Sequence, residues 1–140
     1  MVWRAFSLAH THLMRTFDDA LREENGLSLS EYEVLYTVAS SPDARLRISE
    51  LSDSLLFTRG GVSRVVTRLE TKGYLQRESV DDDLRGVTAV LTDEGYSVFV
   101  PAARDHVARL RQHFLEPVGR DGRALQRVLG RILAVHHGDS

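Results

Sequence analysis

The chain has 140 residues, 42% of them hydrophobic and 27% charged, with a formal net charge of −2 and a sequence pI of about 6.3. Those proportions describe a globular chain rather than a disordered one, and no apolar run approaches the ~20 residues that cross a bilayer, so no membrane association is expected. The absence of cysteine removes disulfides, thiolate metal sites and thiol redox chemistry, and an N-terminus without the basic start, apolar stretch and small-residue site of a signal peptide points to the cytoplasm.

In chain order, Phe6, Leu13, Phe17 and Leu21 form the stripe of an amphipathic helix that stops before Asn25-Gly26. Ser28 and Glu31 have capping-box spacing and open a second helix expected to bury Tyr32, Leu35, Val38 and Ala39 before Ser41-Pro42 ends it. Leu46-Arg47-Ile48 reads as a short extended stretch, and Ser49 as the cap of a brief helix through Leu56 with Ile48, Leu51 and Leu55 turned inward. Thr58 is the next N-cap, and its helix should run to Lys72-Gly73. Two strands, Tyr74 to Ser79 and Val87 to Leu91, are joined as a hairpin by the loop from Val80 to Gly86. Thr92 caps a long helix with Phe99, Ala103, Val107, Leu110 and Phe114 at helical spacing, which Pro101 should kink or delay. A last helix from about Asp121 is expected to bury Leu125, Val128, Leu129, Ile132 and Leu133. The fold class is therefore mainly α with a small β-hairpin wing.

The helix opened by Thr58 carries the most specific chemistry. At about 100° per residue, Val62, Val65, Val66 and Leu69 share one side, while Ser63, Arg64, Thr67 and Arg68 share the other. Two guanidinium forks and two hydroxyls on one face suit phosphate oxygens and base edges. An ordinary solvated face has the same composition, so order decides: a short helix, a tight turn, the basic helix and a hairpin make a winged helix-turn-helix. Gly60 and Gly61 leave the first turn without bulk, open to a phosphate. From Thr58 to Gly73 four cations (Arg59, Arg64, Arg68, Lys72) face a single acid, Glu70, on a chain that is acidic overall.

Other chemistry is thin. His10 and His12 point to different helix faces, and His106 and His113 are two turns apart, so neither pair has the spacing of a helical metal site. No nucleophile elbow, phosphate-cradling loop or calcium loop is present, so no catalytic residue, no metal ligand and no cofactor is assigned, and the chain is not expected to be an enzyme.

The motifs together resemble the MarR family, from about Leu13 to Leu133. Ile48-Ser49-Glu50-Leu51 is similar to its third helix, the run from Thr58 to Leu75 to its recognition helix and exit, Asp83-Leu84-Arg85-Gly86 to its wing, and Leu91-Thr92-Asp93-Glu94-Gly95 to the entry of its fifth helix. The resemblance implies a ligand-responsive repressor that binds a pseudo-palindromic double-stranded DNA operator as a homodimer. It implies that Ser63, Arg64, Thr67 and Arg68 face the major groove, with Thr58, Arg59 and Gly60 at the start of the same motif, and that Arg85 enters the minor groove beside Asp83. Leu84 stands where the family has a basic residue, so this wing is less cationic than usual. A single domain over residues 1–140 would contain a DNA-binding part (28–95) and dimerisation helices (1–24 and 96–136). Trp3, Phe6, Phe114 and Leu115 would find cover in a two-fold mate, or else within one subunit. A small aromatic effector would sit near His10, Met14, Tyr36 and His113. The alternatives are a winged helix used only for protein interaction, and a metal-responsive sensor.

Overall fold

A computed structural model describes residues 1–55, 59–79 and 86–137. The chain is mainly helical with one small antiparallel sheet, and it divides into two compact units, Met1–His106 and Val107–Ser140. In the first unit, α1 (Val2–Asn25) ends on Gly26 in the left-handed conformation, φ 66°. The capping box at α2 (Leu29–Ala39) is formed: Glu31 N donates to Ser28 Oγ at 3.0 Å, and Ser28 N donates to Glu31 Oε1 at 2.9 Å. Asp18 of α1 also accepts from the Leu29 N–H at 2.9 Å, which fixes the start of α2 against the preceding helix.

Strand β1 (Arg45–Arg47) leads directly into α3 (Ile48–Ser54), followed by α4 (Arg59–Thr71), β2 (Leu75–Ser79), β3 (Val87–Leu91) and α5 (Asp93–Leu110). The hairpin gains a third strand, since β1 pairs with β3 on the side away from β2, in the order β1-β3-β2. Arg45 lies opposite Val90 in one pairing, and Arg77 opposite Ala89 in the other. Helix α2 packs against α1, α3 and α4. The core gathers Leu21, Leu27, Val34, Leu35, Val38, Leu51, Val62, Val66, Leu69 and Leu75, all essentially without solvent contact. Each such side chain contributes roughly 1.5–3 kcal/mol by leaving water.

The structure corrects three expectations. Ser49 is not a cap, because α3 already begins at Ile48 with Arg47 at its N-cap position. Helix α5 starts at Asp93 without delay and runs through Pro101, and its buried residues are Gly95, Ala102 and His106, while Val107 is exposed. At its start the helix comes close to the preceding turn: a Cβ on Gly95 would lie 2.1 Å from the Tyr74 carbonyl oxygen, and further on Phe99 and Ala103 pack against the core beside Ala102 and His106. Hydrophobic spacing finds Phe99 and Ala103 but overlooks Gly95, Ala102 and His106.

The second unit continues α5 through a π-helical turn (Arg111–Leu115), a short α6 (Glu116–Val118) and a 3-10 turn (Gly119–Asp121) into α7 (Gly122–His137). Here the third correction falls. Val128, Ile132 and Leu133 are 43–53% exposed rather than buried. No helix among the described residues is long and apolar enough to cross a membrane.

Candidate nucleic-acid interface

Helix α4 sorts its residues as its periodicity dictates. Val62, Val65, Val66 and Leu69 are buried, and Ser63, Arg64, Thr67 and Arg68 are exposed. Inward packing on α2 and α3 therefore forces the polar face outward.

Three features hold the end of α4. Tyr74 N donates to Leu69 O and Gly73 N to Glu70 O, both at 2.9 Å, with Gly73 left-handed at φ 83°, a Schellman ending. Lys72 Nζ donates to Glu31 Oε2 at 2.7 Å and to Gly26 O at 3.2 Å, binding the helix end to α2 and to the turn before it. Burial opposes ionisation of Glu31, but the Lys72 ammonium and the Ser28 N–H outweigh it and hold its pKa below the ordinary glutamate range. Finally, Thr92 joins the wing to α4: its Oγ1 donates to Gly73 O at 2.6 Å and accepts from Gly95 N at 2.9 Å, while its N–H donates to Tyr74 O at 3.1 Å. Thr92 is thus the cap expected for α5, and also a link between two turns.

Arg77 on β2 is the site residue that helical periodicity overlooks. Its Nη2 donates to Thr67 Oγ1 at 2.9 Å, to Ser63 O at 3.1 Å and, more weakly, to Ser63 Oγ at 3.4 Å. Its backbone N–H donates to Glu70 Oε2 at 3.1 Å. A strand residue thereby lays a guanidinium on the exposed face of α4. The signal available in the sequence was an arginine two positions beyond Leu75 in an amphipathic strand, which points opposite Gln76 and on the same side as Leu75 and Ser79.

The remaining expected residues are placed as follows. Gly60 is exposed in the first turn of α4, and its carbonyl accepts from Arg64 Nε at 3.3 Å. Thr58, Asp83, Arg85 and the side chain of Arg59 lie outside the described residues. The four proposed effector contacts do not form one group within the first unit. His10 stacks on Phe6 at 6.2 Å, whereas Tyr36 faces Tyr32 at 6.3 Å and Phe99 at 6.4 Å; Met14 is half-buried on α1, and His113 belongs to the second unit. His106 is buried between the rings of Phe17, 5.1 Å away and edge-on, and Tyr32, 4.6 Å away. Among the described residues, no three His, Asp or Glu side chains are grouped to hold a metal ion.

Known proteins share this fold. The profile of the MarR family matches residues 25–86. AbsC, a MarR family transcriptional regulator from Streptomyces coelicolor, superposes with a TM-score of 0.92 at 29% identity, covering 99% of this chain and 93% of AbsC. Sco3205, a MarR family regulator from the same organism solved in complex with DNA, gives a TM-score of 0.88 at 36% identity, over 95% of this chain and 83% of Sco3205. The transcriptional regulator PecS of Dickeya dadantii is 29% identical over 109 residues, which are 76% of this chain but only 64% of PecS. Agreement in fold, combined with 36% identity to a regulator spanned over most of its length, settles the assignment: the chain belongs to the MarR family of winged helix-turn-helix transcriptional regulators.

Proposed function

We propose that this chain is one subunit of a homodimeric repressor that binds a pseudo-palindromic DNA duplex through α4. The observation that carries the reading is the two-sided sorting of α4, with four apolar residues buried and Ser63, Arg64, Thr67 and Arg68 exposed on a winged scaffold. The DNA complex of the similar Sco3205 supports it. Arg64 and Arg68 enter the major groove, where a two-pronged arginine contact to guanine discriminates by about 1–3 kcal/mol per base pair. Residues 28–95 form the DNA-binding part, with Thr58, Arg59 and Gly60 at the helix start and Asp83 and Arg85 on the wing. Residues 1–24 and 96–136 form the dimerisation part, which uses the exposed Trp3 and Phe6 on α1 and Val128, Ile132 and Leu133 on α7. Two-fold symmetry then sets two recognition helices one DNA turn apart.

Repression in the cytoplasm is steric. A small aromatic effector relieves it by binding one spacing of the two helices better than another, with His10, Met14, Tyr36 and His113 as its contacts. Purified protein is titrated with the duplex upstream of its own gene across a salt series, beside the Arg64→Ala/Arg68→Ala variant. Sequence-selective binding that weakens steeply with salt and falls by at least roughly 100-fold in the variant supports the reading. Binding that ignores both substitutions overturns it.

A further inference from the structure

The polar face of α4 is only partly available for reading bases. The Thr67 hydroxyl donates its proton to Ser63 O at 2.9 Å and accepts from Arg77 Nη2, and Ser63 Oγ accepts from the same nitrogen. A hydroxyl has one proton to give, so Thr67 has none left for a base edge. The contacts of the Arg77 side chain to α4 all run through Nη2, whereas a guanidinium carries five N–H donors in a planar fork. Among the described residues, the acid of α4, Glu70, accepts from the Arg77 backbone N–H and not from the guanidinium, and Glu78, next in the strand, is paired with Arg45. Arg77 is thus an exposed cation whose position is set from two directions, by the strand that carries it and by the helix face it rests on. Phosphates line both edges of a groove occupied by a helix, and arginine held in a fixed orientation suits them.

We propose that Arg77 contacts a DNA phosphate beside α4, held there by the Ser63 carbonyl and by Thr67, whose hydroxyl proton is committed to the protein and not to a base edge. The proposal rests on the DNA-binding reading above and deepens it, since Thr67 then leaves base discrimination to Arg64, Arg68 and Ser63.

The test is a salt series on the full-length chain with the same upstream duplex, comparing wild type, Arg77→Gln, Arg77→Lys, Thr67→Val and the Arg77→Gln/Thr67→Val double variant. Glutamine removes the charge while leaving a polar, uncharged side chain on the strand, and the unchanged melting temperature checks that the fold is kept. Each phosphate contact adds about 0.9 to the slope of log K against log salt. The slope of Arg77→Gln is therefore expected to drop by about two for a dimer, at unchanged melting temperature, while Arg77→Lys keeps the wild-type slope. Thr67→Val is expected to weaken binding in the wild-type background and to add almost nothing to Arg77→Gln, the mark of a residue acting through its partner. An Arg77→Gln slope equal to wild type overturns the phosphate contact. A Thr67→Val loss of equal size in both backgrounds overturns the positioning role and makes the hydroxyl a base reader. Wild-type binding without salt dependence would bring down the DNA reading itself, a result visible before any variant is measured.

Discussion

Helices α4 and α7 are built on the same plan and meet different ends. Each sets an apolar stripe against arginines: Val62, Val65, Val66 and Leu69 against Arg64 and Arg68 in α4, and Leu125, Val128, Leu129, Ile132 and Leu133 against Arg123, Arg127 and Arg131 in α7. In α4 the stripe is covered by neighbouring helices of its own unit; in α7 Val128, Ile132 and Leu133 remain about half-exposed. An amphipathic pattern states that a face needs cover, at roughly 25 cal/mol per Å² of apolar surface. It does not state which surface supplies the cover. The difference separates a stripe that holds the subunit together from one that, under the proposed dimer, a second copy would cover.

The largest test of that contrast is truncation inside α4. Leu69→Ala is expected to cost about 2–5 kcal/mol, read as a urea midpoint that shifts equally at every protein concentration. Ile132→Glu on α7 should instead act through association: sedimentation shows a dimer constant weakened by at least roughly tenfold, and the loss in melting temperature varies with protein concentration. A concentration-independent collapse of Ile132→Glu would erase the distinction between the two helices.

A smaller effect sharpens the α4 side. Gly95 has no room for a methyl group against the Tyr74 carbonyl, so Gly95→Ala must move the turn that follows α4. The expected cost is about 1–3 kcal/mol. Because Thr92 ties the same turn to the wing, DNA affinity is expected to fall as well.

The smallest effect depends on pH. Folding favours ionised Glu31, since its pKa is lowered in the folded chain despite burial. Its stabilisation is therefore complete above the ordinary glutamate pKa of about 4.3 and is lost as pH falls below that value. Glu31→Gln is expected to cost about 1–3 kcal/mol at pH 7, from loss of one partner of a largely buried pair whose Lys72 is partly solvated. The wild-type advantage over Glu31→Gln should shrink steadily on acidification, checked by urea unfolding at several pH values. An advantage that grows toward acid would contradict the direction of the shift.

Much of this molecule was written locally in the chain. The capping box of Ser28 and Glu31, the left-handed glycines at Gly26 and Gly73, the Thr92 cap and the two faces of α4 each depend on residues within about one or two turns of each other. Their physics is short-range, so spacing determines them. What needed the tertiary structure joins residues distant in sequence. The third strand, β1 on β3, is too short to announce its partner. The buried face of α5 includes Gly95, set against the Tyr74 carbonyl, and His106, neither of which a scale that rewards large apolar residues can register. Lys72 meets Glu31 across 41 positions. Arg77 reaches α4 only because the strand turns back along that helix, and this contact, not the arginine's presence in the sequence, changes what Ser63 and Thr67 can do. Periodicity determines which sides of a helix are polar and apolar, whereas the partners of each side are chosen by packing, because a hydrogen bond or a covered surface exists only once both halves are brought together.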